Sequence, residues 1–107
     1  MSPKLSRETQ RRVDMMYSPE QREEVTRLLG EQCGHNIPGT RPDWDEVAFE
    51  QLRFSVLKVS RGDIEALKKA ITLAKIDFRD VIIWAGFASS TGEHKKWLPT
   101  GIGERPY

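Results

Sequence analysis

Apolar residues recur along most of this chain at spacings of three and four, which place them on one face of an α-helix. The pattern predicts five helical segments, at residues 6–17, 19–33, 44–60, 63–75 and 78–86. We see no internal repeat and no second domain boundary. The predicted fold class is therefore all-α, a small bundle of four to five helices with an irregular C-terminal arm.

The ends of the second segment carry the clearest capping signals. Ser18 is a good N-cap, Pro19 suits the first helical position, and Gln21 stands where a capping box has Glu or Gln. We expect Gly34 to end this helix in the left-handed conformation.

The segment at 44–60 carries apolar residues on two faces, which predicts a helix packed on both sides. One face is formed by Ala48, Phe49, Leu52, Val56 and Val59, and the other by Val47, Phe54 and Leu57. We expect this helix to be central, with Leu52 and Val56 buried.

The segment at 78–86 is short and strongly apolar, so periodicity alone does not separate a helix from a strand. Asp77 as a leading cap, Gly86 as an exit and the lack of a second strong strand favour a helix. Its surplus of apolar residues has two explanations: it lies in the centre of the domain, or another chain seals one side.

Length and composition indicate one globular domain over residues 1–107, with 1–5 and 89–107 less ordered. No apolar run approaches the roughly 18 residues of a membrane span, and the N-terminus lacks a secretory signal. With a single cysteine, the expected location is the reducing cytoplasm.

Charge argues against a nucleic-acid partner. Seventeen basic residues are balanced by 16 acidic ones, for a net charge of +1. Proteins that neutralise several phosphates usually show an excess of Lys and Arg. For the cluster at Arg7, Arg11 and Arg12, a solvated face is the commoner explanation than phosphate contacts.

The chain offers little for catalysis. Cys33, His35 and His94 are the only soft metal ligands or strong nucleophile–base candidates, and zinc sites usually have four such ligands. Cys33 ends a predicted helix, where the negative dipole disfavours a thiolate. Phosphate-loop, dinucleotide, nucleophile-elbow and metalloprotease motifs do not occur. We predict no metal, no cofactor and no catalytic residue, and lean against an enzyme.

Two function classes remain, and the first is a non-enzymatic interaction protein. It would self-associate as a homodimer or serve a larger, bacterial-type complex. Aromatic side chains anchor many interfaces. The candidate contacts are Ile83, Trp84, Phe87, Trp97 and Leu98. We expect the C-terminal arm to pack across the partner, with folding back onto its own bundle as the alternative.

The second class is a small enzyme or ligand-binding domain that uses the loop at residues 34–45. This loop is rich in Gly and Pro and carries polar side chains suited to a binding site. The candidates are His35, Asn36, Arg41, Trp44 and Asp45.

Overall fold

Four α-helices form a small bundle in the computed structural model, which describes residues 5–34, 37, 46–87 and 93–99. They are α1 (Arg7–Met16), α2 (Pro19–Gln32), α3 (Glu46–Ser60) and α4 (Ile64–Ala85), followed by a short 3-10 helix at Glu93–Lys96. The described residues contain no strand. The all-α prediction is confirmed, including the helical rather than extended form of residues 78–85.

The predicted break before residue 78 lies inside α4. Asp77 has φ −156° and ψ 105°, which are not helical values. Its carboxylate accepts a hydrogen bond from the backbone N–H of Arg79 at 3.0 Å. Asp77 therefore caps the second part of α4 as predicted, and the two predicted segments continue into each other through a kink without a loop.

Ser18 is the N-cap of α2 and Pro19 its first residue, as predicted, but two details of the capping predictions are wrong. The Ser18 hydroxyl makes no side-chain cap; it donates instead to the carboxylate of Glu20, and the Ser18 carbonyl accepts from the next turn. Gly34 is not left-handed, since the glycines with positive φ in the described chain are Gly62 and Gly86. Gly34 is buried, and a Cβ added to it would lie 3.3 Å from Arg53 Nη2. Close packing against Arg53 therefore explains why glycine suits this position.

Helix α3 is central, as its two apolar faces predicted. It packs against α1, α4 and the 3-10 helix. Leu52 and Val56 are fully buried in the larger core cluster, together with side chains of α1, α2 and α4. Phe54 of the other face belongs to a second cluster with Ile82, Ala85 and Phe87. Both faces of α3 are thus covered by the chain itself.

Arg12 fastens residues 93–99, here named the C-terminal segment, to the bundle. Its guanidinium donates to the carbonyl oxygens of Trp97 at 3.1 Å and Lys95 at 3.4 Å, and lies 4.1 Å from the Phe54 ring centroid. It also bonds the Glu8 carboxylate, which lowers the pKa of Glu8. The solvated face predicted for Arg12 is wrong: only 2% of the residue is exposed.

The longest helix, α4, carries many charged residues. Within the described ranges, no helix has both the length and the apolar character to span a bilayer.

Candidate functional site

Ile83 and Trp84 are large apolar side chains that the C-terminal half of α4 leaves at the surface. They are 62% and 64% exposed, whereas Val81 and Ile82 beside them are buried. The first explanation for the apolar surplus of this segment therefore holds for one side of the helix, and a second chain that seals the other side stays a prediction. The side with Val81 and Ile82 lies in the core. The side with Ile83 and Trp84 is not buried by any described part of the chain.

A concave pocket of about 400 Å³ lies beside Trp84. Its described lining comes from the end of α3, the turn that follows and the end of α4: Lys58, Val59, Arg61, Trp84 and Ala85. Two of these residues are basic and none is acidic. The pocket therefore combines an aromatic ring with positive charge.

Lys58 is held in place at this pocket. Its Nζ donates to the carbonyl oxygen of Ala85 at 2.8 Å and lies 4.8 Å from the ring centroid of Phe87. A lysine near the last carbonyls of a helix is favoured by the helix dipole. Because an ammonium group has three N–H donors, Lys58 can hold the end of α4 and still bind an anion.

Arg61 reaches the pocket from an unusual backbone conformation. Its φ is 53°, and it precedes Gly62, whose φ is 80°. Only a few per cent of residues other than glycine adopt positive φ, because the Cβ is crowded there. The tight turn between α3 and α4 thus places Arg61 in the lining of the pocket that Trp84 also lines, at some cost in backbone strain.

Before Ile83, α4 carries the exposed Ile76 and the charged residues Asp77, Arg79 and Asp80. The Asp77 carboxylate is engaged by Arg79 at 3.1 Å, and this pairing lowers the pKa of Asp77 and raises that of Arg79. Asp80 lies one turn before Trp84 and is exposed. Among the described residues it makes no salt bridge and no side-chain hydrogen bond, although its charge contributes to the raised pKa of the neighbouring Arg79. We name Asp80, Ile83, Trp84 and the pocket residues together the Trp84 surface.

The other interface candidates lie against their own bundle. Phe87 is 2% exposed, and Trp97 and Leu98 are half-buried. The Trp97 ring lies 6.3 Å from Phe54 and 6.0 Å from Phe87, measured between centroids. The described part of the arm therefore follows the alternative, folding back onto its own chain, and it leaves Phe87 no surface for a partner.

Cys33 and His94 are both buried. Burial raises the pKa of the Cys33 thiol to about 12, so it stays protonated and poorly nucleophilic. His94 packs edge-on against Phe54, with centroids 5.2 Å apart, and also contacts Phe87. Within the described ranges, no three His, Cys, Asp or Glu residues come together as a metal site.

The loop candidates His35, Asn36, Arg41, Trp44 and Asp45 all lie outside the described residues. The ligand-binding hypothesis built on them stays a prediction.

Three charged members of the Trp84 surface were missed from the sequence: Lys58, Arg61 and Asp80. Charged residues at helix ends and in turns are normally solvated, so nothing marks these as neighbours. The one usable signal is Arg61 directly before Gly62, since a tight turn there could turn its side chain back toward α4.

The chain was compared with protein-family models, with curated proteins and with solved structures, and no comparison returned a match. Function is therefore inferred from the molecule's own surface.

Proposed function

We propose that this chain is a small, non-enzymatic interaction protein that self-associates as a homodimer through the Trp84 surface. The supporting observation is the exposure of Ile83 and Trp84 side by side, next to a pocket of about 400 Å³. Single exposed apolar residues are common on monomers, but a Trp and an Ile together beside a concave pocket are typical of an interaction site.

The area available fits a weak, reversible dimer. Burying one large apolar side chain stabilises by about 1.5–3 kcal/mol. Four such side chains, two from each copy, contribute about 6–12 kcal/mol. Association itself costs about 4–15 kcal/mol in lost freedom. Even the largest gain set against the smallest cost leaves only about 8 kcal/mol, so we expect a dissociation constant no tighter than micromolar unless charges on the same surface contribute.

Sedimentation over a range of concentrations tests the proposal. The intact chain should shift from monomer to dimer at micromolar concentration, and Trp84→Ser should shift the transition at least tenfold higher. Met15→Ser is the matched control, because Met15 is also exposed, at 40%, but lies on α1. Circular dichroism checks whether both variants keep their helices. A wild-type chain that stays monomeric throughout would rule out self-association.

A further inference from the structure

Charge is unevenly distributed over the Trp84 surface. Lys58 and Arg61 line the pocket on one side of the Trp84 ring. Asp80 lies on the same face of α4, four residues before Trp84 and thus about 6 Å away along the helix axis. Ile83 lies between Asp80 and Trp84 along the helix. The surface therefore has an acidic end, an apolar centre and a basic end.

We infer that the partner is a second copy packed about a two-fold axis, with Asp80 of each protomer seated in the Lys58–Arg61 pocket of the other. This inference rests on the proposed function and adds the arrangement of the two chains. In a two-fold dimer the same patch meets itself in reverse, so residue i contacts residue j and j contacts i. With the axis near Ile83, each acidic end lies on the partner's basic end.

Asp80 suits this role better than its neighbour Asp77. The Asp77 carboxylate already accepts from Arg79 through both oxygens, at 3.1 Å each. Asp80 has no such bond in the described chain, so its carboxylate can accept from another protomer. Opposite charges that meet across an interface fix the register and exclude the parallel arrangement, in which like charges meet.

Charge reversal in separate chains gives a sharp test. In Asp80→Lys the reversed residue faces Arg61 of an identical partner, and in Arg61→Asp the new carboxylate faces Asp80. Each variant alone should dimerise at least about tenfold more weakly, because both symmetric contacts become repulsive. Asp tolerates positive φ better than most residues, so Arg61→Asp is compatible with the turn.

Mixing the two variants should restore association. In the heterodimer one contact is the natural Asp80–Arg61 pair, and the other is the same pair with its charges exchanged. Equimolar mixtures should therefore dimerise close to the wild-type concentration, and mass labelling of one chain should show mainly heterodimers. Glu23→Lys is the control for a changed net charge, since Glu23 is exposed on α2.

The outcomes separate this arrangement from the proposed function. Weakening by each reversal with recovery in the mixture supports the two-fold arrangement. If both variants dimerise as tightly as the wild type, or if their weaker dimers do not recover in the mixture, the two-fold arrangement is wrong. The proposed function still stands in that case, provided that Trp84→Ser abolishes the dimer. If either charge reversal unfolds the chain, the neutral variants Asp80→Asn and Arg61→Gln are tested instead. Neutral variants that dimerise as tightly as the wild type would overturn the two-fold arrangement. A wild-type chain that stays monomeric would overturn both the proposed function and the two-fold arrangement. The next occupant to test on the Trp84 surface would then be an acidic partner protein.

Discussion

Tyr17 shows how a single buried side chain couples stability to pH. The residue is 3% exposed, and its hydroxyl lies 2.7 Å from the Ser60 hydroxyl. Burial raises the pKa of Tyr17 to about 12, because the phenolate would lose its hydration, although the bond to Ser60 opposes the shift. The unfolded chain therefore loses this proton at lower pH than the folded chain does.

The sign of the pH effect follows directly. Below about pH 10 both states are protonated and the contribution of Tyr17 is fully present. As pH rises from about 10 toward 12, only the unfolded state releases the proton, so the free energy of unfolding falls. Urea titrations should show this fall in the wild type and a smaller one in Tyr17→Phe. Tyr107 is present in both chains, so the difference between them reports Tyr17. Equal slopes would contradict the prediction.

Arg12 and Cys33 mark the limits of prediction for single residues. Cys33 follows Val25 and Leu29 at spacings of four on one helix face, so its burial is expected from the sequence, and the structure agrees. The burial of Arg12 does not follow, because a basic residue on a polar stretch is normally solvated. Its acceptors, the carbonyl oxygens of Trp97 and Lys95, lie more than 80 positions along the chain. Local patterns carry no information on such a contact.

At the scale of elements, the attachment of the C-terminal segment depends on Arg12. Arg12→Met keeps much of the side-chain volume but removes the donors to the backbone carbonyls of Trp97, Lys95 and Glu8. We expect a loss of about 1–3 kcal/mol in the free energy of unfolding, since those carbonyls lose their partners. The segment should also detach more often, which exposes the peptide bond after Lys95 to trypsin.

Limited proteolysis measures this detachment. Cleavage after Lys95 should be several-fold faster in Arg12→Met than in the wild type. Arg11→Met is the control, because it removes the same number of trypsin sites. The Arg11 side chain is 56% exposed, and in the described chain its one ion pair is with Glu8. If both variants are cleaved at the wild-type rate, Arg12 does not hold the segment.

Helices were predictable because their signals are local. The spacing of apolar residues and the caps at Ser6, Asp63 and Asp77 act within a few positions of the chain. The manner in which two helices join is less local. The break at Asp77 was visible in the sequence, but its geometry depends on how both halves of α4 pack on α3.

At the scale of the whole molecule, the sequence predicted only the apolar part of the candidate site formed by Ile83 and Trp84. Ile83 and Trp84 were recognisable because the helix at 78–86 is more apolar than one buried face requires. Lys58 and Arg61 join them only through the packing of α3 against α4. Phe87, Trp97 and Leu98 look equally suited to a partner, yet Phe87 and Trp97 pack with Phe54 in the chain's own core. Hydrophobicity identifies what must be covered, and only the fold shows which surfaces the chain covers itself.

The proposed dimer should also make thermal stability depend on concentration. Association stabilises the folded state by mass action, because the unfolded chain lacks the Trp84 surface. Above the dissociation constant, each tenfold rise in protein concentration adds about 0.7 kcal/mol per protomer to the free energy of unfolding. This is half of the roughly 1.4 kcal/mol that a tenfold rise in a separate ligand would add, because one binding event is shared by two protomers. For a domain of this size that corresponds to a rise in Tm of about 3–5 °C.

Scanning calorimetry across two decades of concentration measures this dependence. The Tm of the wild type should rise with concentration, whereas the Tm of Trp84→Ser should stay constant over the same range. Met15→Ser should follow the wild type, since Met15 lies on α1. A Tm of the wild type that does not move with concentration would show that folding and association are not coupled through this surface. Because the measurement follows unfolding and not mass, it tests the dimer independently of sedimentation.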